Sequence, residues 1–439
     1  MALRDALVSS GAIEQAFSDA AVLTAMLRFE IALARAEARA GIVPAGAADA
    51  IAAVTISAFD AGAIATQARA SATPAIPFVE ALTAAVAATR SDAAVWVHRG
   101  ATSQDVTDTA LVLCLKEARK TIDAAHARID GALRRISKAN ASTVMLGRTL
   151  LQPAPPVTFG LKAAGWLGAL SRSHRALSDA FERACVLQFG GASGTLAALG
   201  DRGLAVATEL AVELAVPLPD APWHAHRDRL ALLVAACGVY AGSIAKAARD
   251  VALLMQGEVA EAAEPGAGSS TMPHKKNPSG CVVALASAAQ LPGLVATCLG
   301  GMAQEHERGA GGGQSEWATI SSAVAATGSA AEALAGVVEG LRVDAARMRR
   351  GIDDTHGAVF AERAMMRLAP ELGRDKAARA VAAALEAAKT TGSFAAALDA
   401  DPEAARALGE HDRKTLESPD AYLGSAEAFR RRLLGEEGD

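Results

Sequence analysis

Apolar residues recur three and four positions apart along most of this 439-residue chain. Little of it alternates with period two, so the pattern is that of helices rather than half-buried strands. Five long stretches read as helices: Asp105–Lys138, Pro156–Leu187 after the Pro153–Pro156 cluster, Asp228–Gly257, Pro278–Leu299 and Ser315–Gly340. Each is well beyond the mean globular helix of about 11–12 residues, a length that suits a rod-like bundle. Shorter helices with turns near Gly41–Pro44 and Ser71–Pro77 precede them, and turns at Pro370, Gly392, Pro402 and Pro419 break up the end of the chain. The expectation is an all-α protein of three domains. Residues 1–104 form an N-terminal helical domain, 105–350 a central bundle of long helices that serves as the oligomerisation core, and 351–439 a C-terminal helical domain.

Composition sharpens this picture. Hydrophobic residues make up 51% of the chain and aromatics 4%, so the apolar content is mostly Ala, Leu and Val. Ala and Leu are strong helix formers, and small side chains let helices approach closely. A net charge of −5 and a pI near 6.0 are the wrong sign for a general nucleic-acid binder. Five scattered cysteines, Cys114, Cys185, Cys237, Cys281 and Cys298, read as reduced thiols of a cytoplasmic protein. The N-terminus lacks the apolar core of a signal peptide. The most apolar stretch, Leu230–Ala245, is shorter than the ~20 residues of a membrane span and reads as a buried bundle helix.

Three polar or glycine-rich loops interrupt the helices: His98–Ala110, Gln188–Thr195 and Gly266–Gly280. The last, GAGSSTMPHKKNPSG, admits two readings. As ordinary turn residues its Ser, Gly and Pro make a solvated surface loop. As a site, Ser269, Ser270 and Thr271 supply hydroxyls and successive N–H groups, Lys275 a fixed charge and Asn277 a neutral donor. That is the equipment to stabilise a carboxylate that becomes doubly negative when the adjacent carbon carries charge. In His98–Ala110, Thr102 and Ser103 either cap the helix that follows or present a helix N-terminus to a carboxylate. Gly147–Gly160 carries Arg148, Thr149 and Gln152 just ahead of a long helix, and Glu305–Trp317 carries Arg308 beside a GAGGG run. The His224/His226 pair has no third ligand at zinc-like spacing, so no metal is expected. No phosphate-binding loop motif is present and Gly190–Gly194 follows no strand, so no nucleotide cofactor is expected either.

Gly268–Pro278 resembles the GSSxMPxKxNP loop of the fumarase/aspartase superfamily at every fixed position. His98–Ala110 is similar to the HxGxTSxDxxDTA segment of its adenylosuccinate-lyase branch. Gln188–Thr195, Trp223–Arg229 and Glu305–Trp317 look more like the carboxymuconate-lactonizing cycloisomerases within that branch. The resemblance implies a homotetramer around a large helical bundle, with each active site shared by three subunits. It implies a small tricarboxylate substrate, Ser269 as the catalytic serine of a lid loop, and His98 beside the substrate in a catalytic part. Lys275 and Asn277 would hold one carboxylate and Thr102–Ser103 another, with Arg148, Thr149, Gln152, Ser270 and Arg308 completing the binding set.

One departure is informative. Lyases of the branch have GRTH where this chain has Gly147-Arg148-Thr149-Leu150. The histidine that assists an amine leaving group is therefore Leu150, which moves no proton. An amine departs badly without a general acid, whereas a carboxylate, with a conjugate acid near pKa 4, leaves or adds without one. In a lactonization the attacking carboxylate is tethered beside the alkene, so proximity supplies much of the rate. Two rivals stand beside that expectation: another elimination of the superfamily, of the adenylosuccinate or aspartate type, and a non-catalytic structural member.

Overall fold

A computed structural model describes residues 11–266, 272 and 275–436. Helices supply almost all of the regular structure, and the all-α expectation holds. Ser103–Ala139, Asp228–Leu254 and Gly312–Glu339 lie close to the stretches read from the sequence. The Pro278–Leu299 stretch is two helices, Ser279–Ala288 and Leu291–Gly300. Pro292 explains the break: it has no N–H to continue a helix and sits in the first turn of a new one.

The helix expected from Pro156 begins only at Phe159 and ends at Ala184. The residues before it form an antiparallel hairpin, Val144–Thr149 paired with Gln152–Thr158, with a register irregularity between Met145 and Gly147. Three prolines in one strand hid it from the sequence pattern, yet a two-stranded ribbon tolerates proline because each strand has one edge free. Gly147 is needed there, since a Cβ would lie 2.3 Å from the Pro155 carbonyl oxygen. Thr158 starts the helix that follows by accepting from the Leu161 N–H at 3.1 Å.

The chain divides into two compact units. One takes the described residues up to Ala127 with Arg172–Ala245 and Val282–Ala333, and the other takes Arg128–Ser171, Lys246–Cys281 and the part from Leu334 onward. In the first, the Asp19–Arg39 helix packs on Ala45–Ala52 and Gly203–Leu214. Small residues set the spacing, as a Cβ on Gly328 would lie 2.1 Å from Ile13 Cδ1. In the second, Ala262–Ala263 pairs with Arg342–Val343. A helical core there gathers Leu368, Val381, Phe394, Leu398 and Leu408, and a smaller cluster joins Leu146 of the hairpin to Ile352, Val359 and Phe360.

Among the described residues, three helical segments are long and apolar enough to cross a membrane: Asp228–Leu254, Ser279–Gly300 and Gly312–Glu339. The sequence reading of a single short apolar stretch is thus too narrow. The Asp228–Leu254 helix extends beyond Leu230–Ala245 at both ends because polar residues such as Asp228 and Lys246 fit within its turns.

Candidate active site

In the first unit the site is built from the start of the Ser103–Ala139 helix. The hydroxyls of Thr102 and Ser103 do not cap it. They accept from Arg308 instead, Nη1 to Thr102 Oγ1 at 2.7 Å and Nη2 to Ser103 Oγ at 3.0 Å, while Arg308 Nε meets Gln104 Oε1 at 3.2 Å. The capping is done by Asp105, whose Oδ2 accepts from the Thr102 N–H at 3.0 Å. An exposed guanidinium and two hydroxyls at a helix N-terminus are suited to a carboxylate.

Asp105 is fully buried and holds more than the helix end. It accepts from the N–H groups of Gly190 and Gly191 at 3.0 and 2.9 Å and faces His224 Nε2 at 2.7 Å. The glycine-rich loop therefore closes on a carboxylate of the protein itself. Gly190 has no room for a side chain there, with His224 Cε1 2.8 Å from where a Cβ would be. His224 is committed to Asp105.

One helical turn on, Asp108 takes both terminal nitrogens of Arg227 at 2.7 and 2.9 Å, and Arg227 Nε reaches Glu316 at 2.7 Å. Burial opposes the Arg227 charge, but Asp108 and Glu316 outweigh it, and its pKa lies above the ordinary arginine value. Glu316 also receives Gln304 at 3.2 Å, which ties down the segment that carries Arg308. Gln104, Asp105, Asp108, His224, Arg227 and Glu316 were not singled out from the sequence as members of a site. The DxxD spacing sets Asp105 and Asp108 a turn apart, and the Trp223–Arg229 and Glu305–Trp317 stretches held His224, Arg227 and Glu316; those were the signals available.

His98 belongs to the same unit. Its Nδ1 lies 2.6 Å from Glu30 Oε1, and its backbone is left-handed with φ of 57°. Burial alone would depress its pKa, but the Glu30 charge and hydrogen bond, with Asp105 and Glu37 behind them, raise it.

The second unit holds Arg148, Thr149, Gln152, Lys275 and Asn277. Arg148 makes a two-point ion pair with buried Glu261, at 2.9 and 2.6 Å. Thr149 and Gln152 face each other across the hairpin end. Between them Leu150 and Leu151 both have positive φ, 51° and 64°, as a two-residue turn of the primed type requires. Leu150 is 97% exposed. Lys275 is exposed and Asn277 half-buried. The base of their loop is fixed by Glu264, which accepts from the Gly280 N–H at 2.6 Å and the Cys281 N–H at 3.1 Å. Ser269 and Ser270 lie outside the described residues.

Residues 8–293 match the family described as Lyase, and residues 357–433 match the family described as Adenylosuccinate lyase C-terminus. The chain belongs to the fumarase/aspartase superfamily. Within the superfamily it is 44% identical to the 3-carboxy-cis,cis-muconate cycloisomerase of Bradyrhizobium diazoefficiens, over 98% of this chain and 96% of that one. It is 40% identical to the nitrosuccinate lyase of Streptomyces davaonensis, over 96% and 92%. The crystal structure of the 3-carboxy-cis,cis-muconate lactonizing enzyme from Pseudomonas putida superposes with a TM-score of 0.93 at 42% identity, covering 99% of this chain and 98% of that one. As a superfamily member with enzymes for relatives along its whole length, this chain is an enzyme of the lyase and cycloisomerase type.

Proposed function

We propose that the enzyme is a 3-carboxy-cis,cis-muconate cycloisomerase, adding one substrate carboxylate across the conjugated diene to give 4-carboxymuconolactone in protocatechuate (β-ketoadipate) catabolism. The observation that carries this reading is Leu150. The position that holds a proton-moving histidine in amine-releasing relatives is an exposed leucine, which suits a reaction whose nucleophile is a tethered carboxylate. Likeness to relatives of that name supports it.

In this reading Thr102, Ser103 and Arg308 hold one carboxylate, and Lys275, Asn277 and Arg148 hold others, with Thr149, Gln152 and Ser270 lining the site. Addition of the third carboxylate places charge on the remaining one as an aci-carboxylate, which the loop donors stabilise. A proton then passes to the neighbouring carbon, from His98 or from Ser269. The assembly is a cytoplasmic homotetramer with three domains per chain, each site drawing on three subunits. Exposed Leu232, Val239 and Leu253, seven and then fourteen residues apart along one helix, support such a helix-to-helix association.

A second reading has its own support in the nitrosuccinate lyase relative. Nitrite, like a carboxylate, is a weak base and departs without a general acid, so Leu150 fits both reactions. Three cuvettes separate them by ultraviolet absorbance. Loss of the diene from 3-carboxy-cis,cis-muconate alone is expected. Fumarate from nitrosuccinate would transfer the assignment to elimination. Fumarate from adenylosuccinate would show that another residue replaces the missing acid.

A further inference from the structure

Behind His98 lie two carboxyls with no part in carboxylate binding. Glu30 and Glu37 are seven residues apart on the Asp19–Arg39 helix, so their side chains leave the same face two turns apart. Both are buried, Glu30 to 2% exposure and Glu37 to 0%. Glu30 meets His98 Nδ1 at 2.6 Å, the short separation of a charge-assisted bond. Glu37 is different: neither of its oxygens has a hydrogen-bond partner among the described residues. Arg99, the nearby cation, is turned over the Trp96 ring at 5.0 Å. A buried carboxylate with no bond and no ion pair is a costly species, and the neutral acid is the form such a place favours. Burial first, and the Glu30 charge second, push the Glu37 carboxyl up to about 8.

The ring of His98 is fixed on one side. With Nδ1 facing Glu30, Nε2 is the nitrogen left for a ligand. The backbone that carries it is held in a left-handed conformation, which costs a non-glycine residue energy and survives where surrounding contacts impose it. The charged groups that act on this imidazole are Glu30 and Glu37 from the helix and Asp105 from the next helix end, while Arg99 acts on Glu37.

We propose that Glu30 is a positioning residue that holds His98 as an imidazolium with Nε2 presented to the substrate, and that Glu37 is a protonated carboxyl that tunes how firmly His98 keeps its proton. The inference rests on the reading above in which His98 faces the substrate. It makes His98 the source of the proton for the carbon next to the aci-carboxylate. The Nε2–H bond breaks, the C–H bond forms with the enolate pair, the imidazole is left neutral, and solvent water restores its proton before the next turnover. Glu30 stays a carboxylate throughout.

The test compares kcat against pH for the wild-type enzyme, Glu30→Gln and Glu37→Gln, using whichever substrate the cuvettes identify. Activity falls on the alkaline side where His98 loses its proton. Removing the Glu30 charge is expected to move that fall down by about one pH unit or more. Glu37→Gln moves it down by less, because in the wild-type enzyme Glu37 ionises as pH rises and then reinforces the imidazolium. A carbon-13 NMR titration of histidine-labelled protein, with the His98 signal assigned through His98→Asn, gives the same order without any assay. An alkaline limb and a His98 titration both unmoved in Glu30→Gln, with activity lowered equally at every pH, would overturn the proposal and leave Glu30 as packing. Full activity of His98→Asn would sink the placement of His98 at the substrate instead, while the NMR titration would still report on the pair.

Discussion

Asp105 and Glu37 are both completely buried carboxyls of the same unit, and the fold treats them in opposite ways. Asp105 accepts from three backbone N–H groups and lies against His224. Among the described residues, Glu37 receives nothing. Desolvation of the two groups is similar, so the difference lies in whether the surroundings replace the water that was removed. Around Asp105, Asp108 and Glu316 they do, and the result is a rigid seat for Thr102, Ser103 and Arg308. Around Glu37 they do not. The fold tolerates an unsatisfied acid beside His98, much as it tolerates left-handed backbone at His98, Leu150 and Leu151. Satisfied groups build the scaffold here, while unsatisfied Glu37 and left-handed His98, Leu150 and Leu151 lie where chemistry is proposed.

The sharpest way to break that contrast is to remove a partner from the satisfied side. Asp108→Ala leaves Arg227 buried with one carboxylate where it had two. Breaking a buried pair in this way is expected to destabilise by about 3–5 kcal/mol, read as a large drop in the thermal midpoint. A loss under about 1 kcal/mol would mean that water or neighbours replace Asp108 at will, and that the network is not what holds Arg308 and Thr102 in register.

On the unsatisfied side the expected effect is smaller and depends on pH. Burial raises the Glu37 carboxyl from its ordinary exposed value of 4.5 to about 8 in the folded protein, so the folded protein binds a proton that the unfolded chain releases. A raised carboxyl stabilises the folded state relative to its ionised form only while it stays protonated. Stability attributable to it is therefore lost as pH climbs from the unfolded value through the folded one. Against Glu37→Gln, which cannot ionise, the wild-type enzyme should lose roughly 2 kcal/mol between pH 6 and pH 8. Thermal midpoints of the two proteins that run parallel across that range would show Glu37 already ionised or never titrating.

These two sides of the molecule were not equally legible in the sequence. Long alanine-rich helices are read from periodicity because a buried face repeats every three to four residues, and Ser103–Ala139 and Gly312–Glu339 fall close to expectation. Thr102, Ser103, Lys275 and Asn277 stood out because polar residues clustered in a break between helices. Glu30 and Glu37 gave no such sign. In FEIALARAEAR they look like solvated positions of an amphipathic helix, and the packing of Ala45–Ala52 and Gly203–Leu214 on that helix, with His98 bonded to Glu30, makes them interior. The hairpin was hidden by its prolines. Arg308 was visible as a charge beside glycines, but its grip on Thr102 and Ser103 joins residues some two hundred positions apart.

The smallest predicted effect concerns the hairpin end. Leu150 and Leu151 carry branched apolar side chains at positive φ and are 97% and 76% exposed, so within one chain they gain little from burial and sit where asparagine or glycine is favoured. Replacing Leu150 by Asn relaxes the left-handed backbone and removes exposed apolar surface. In an isolated subunit that is expected to stabilise by about 1 kcal/mol. The proposed tetramer predicts the opposite sign, because a tip so shaped is then held by what it packs against in the assembly. A Leu150→Asn protein that melts higher than the wild-type enzyme and keeps its kcat would make the strain a local accident. One that melts lower, with its KM raised, would place the two leucines with His98 and Glu37, among the features the fold keeps for function.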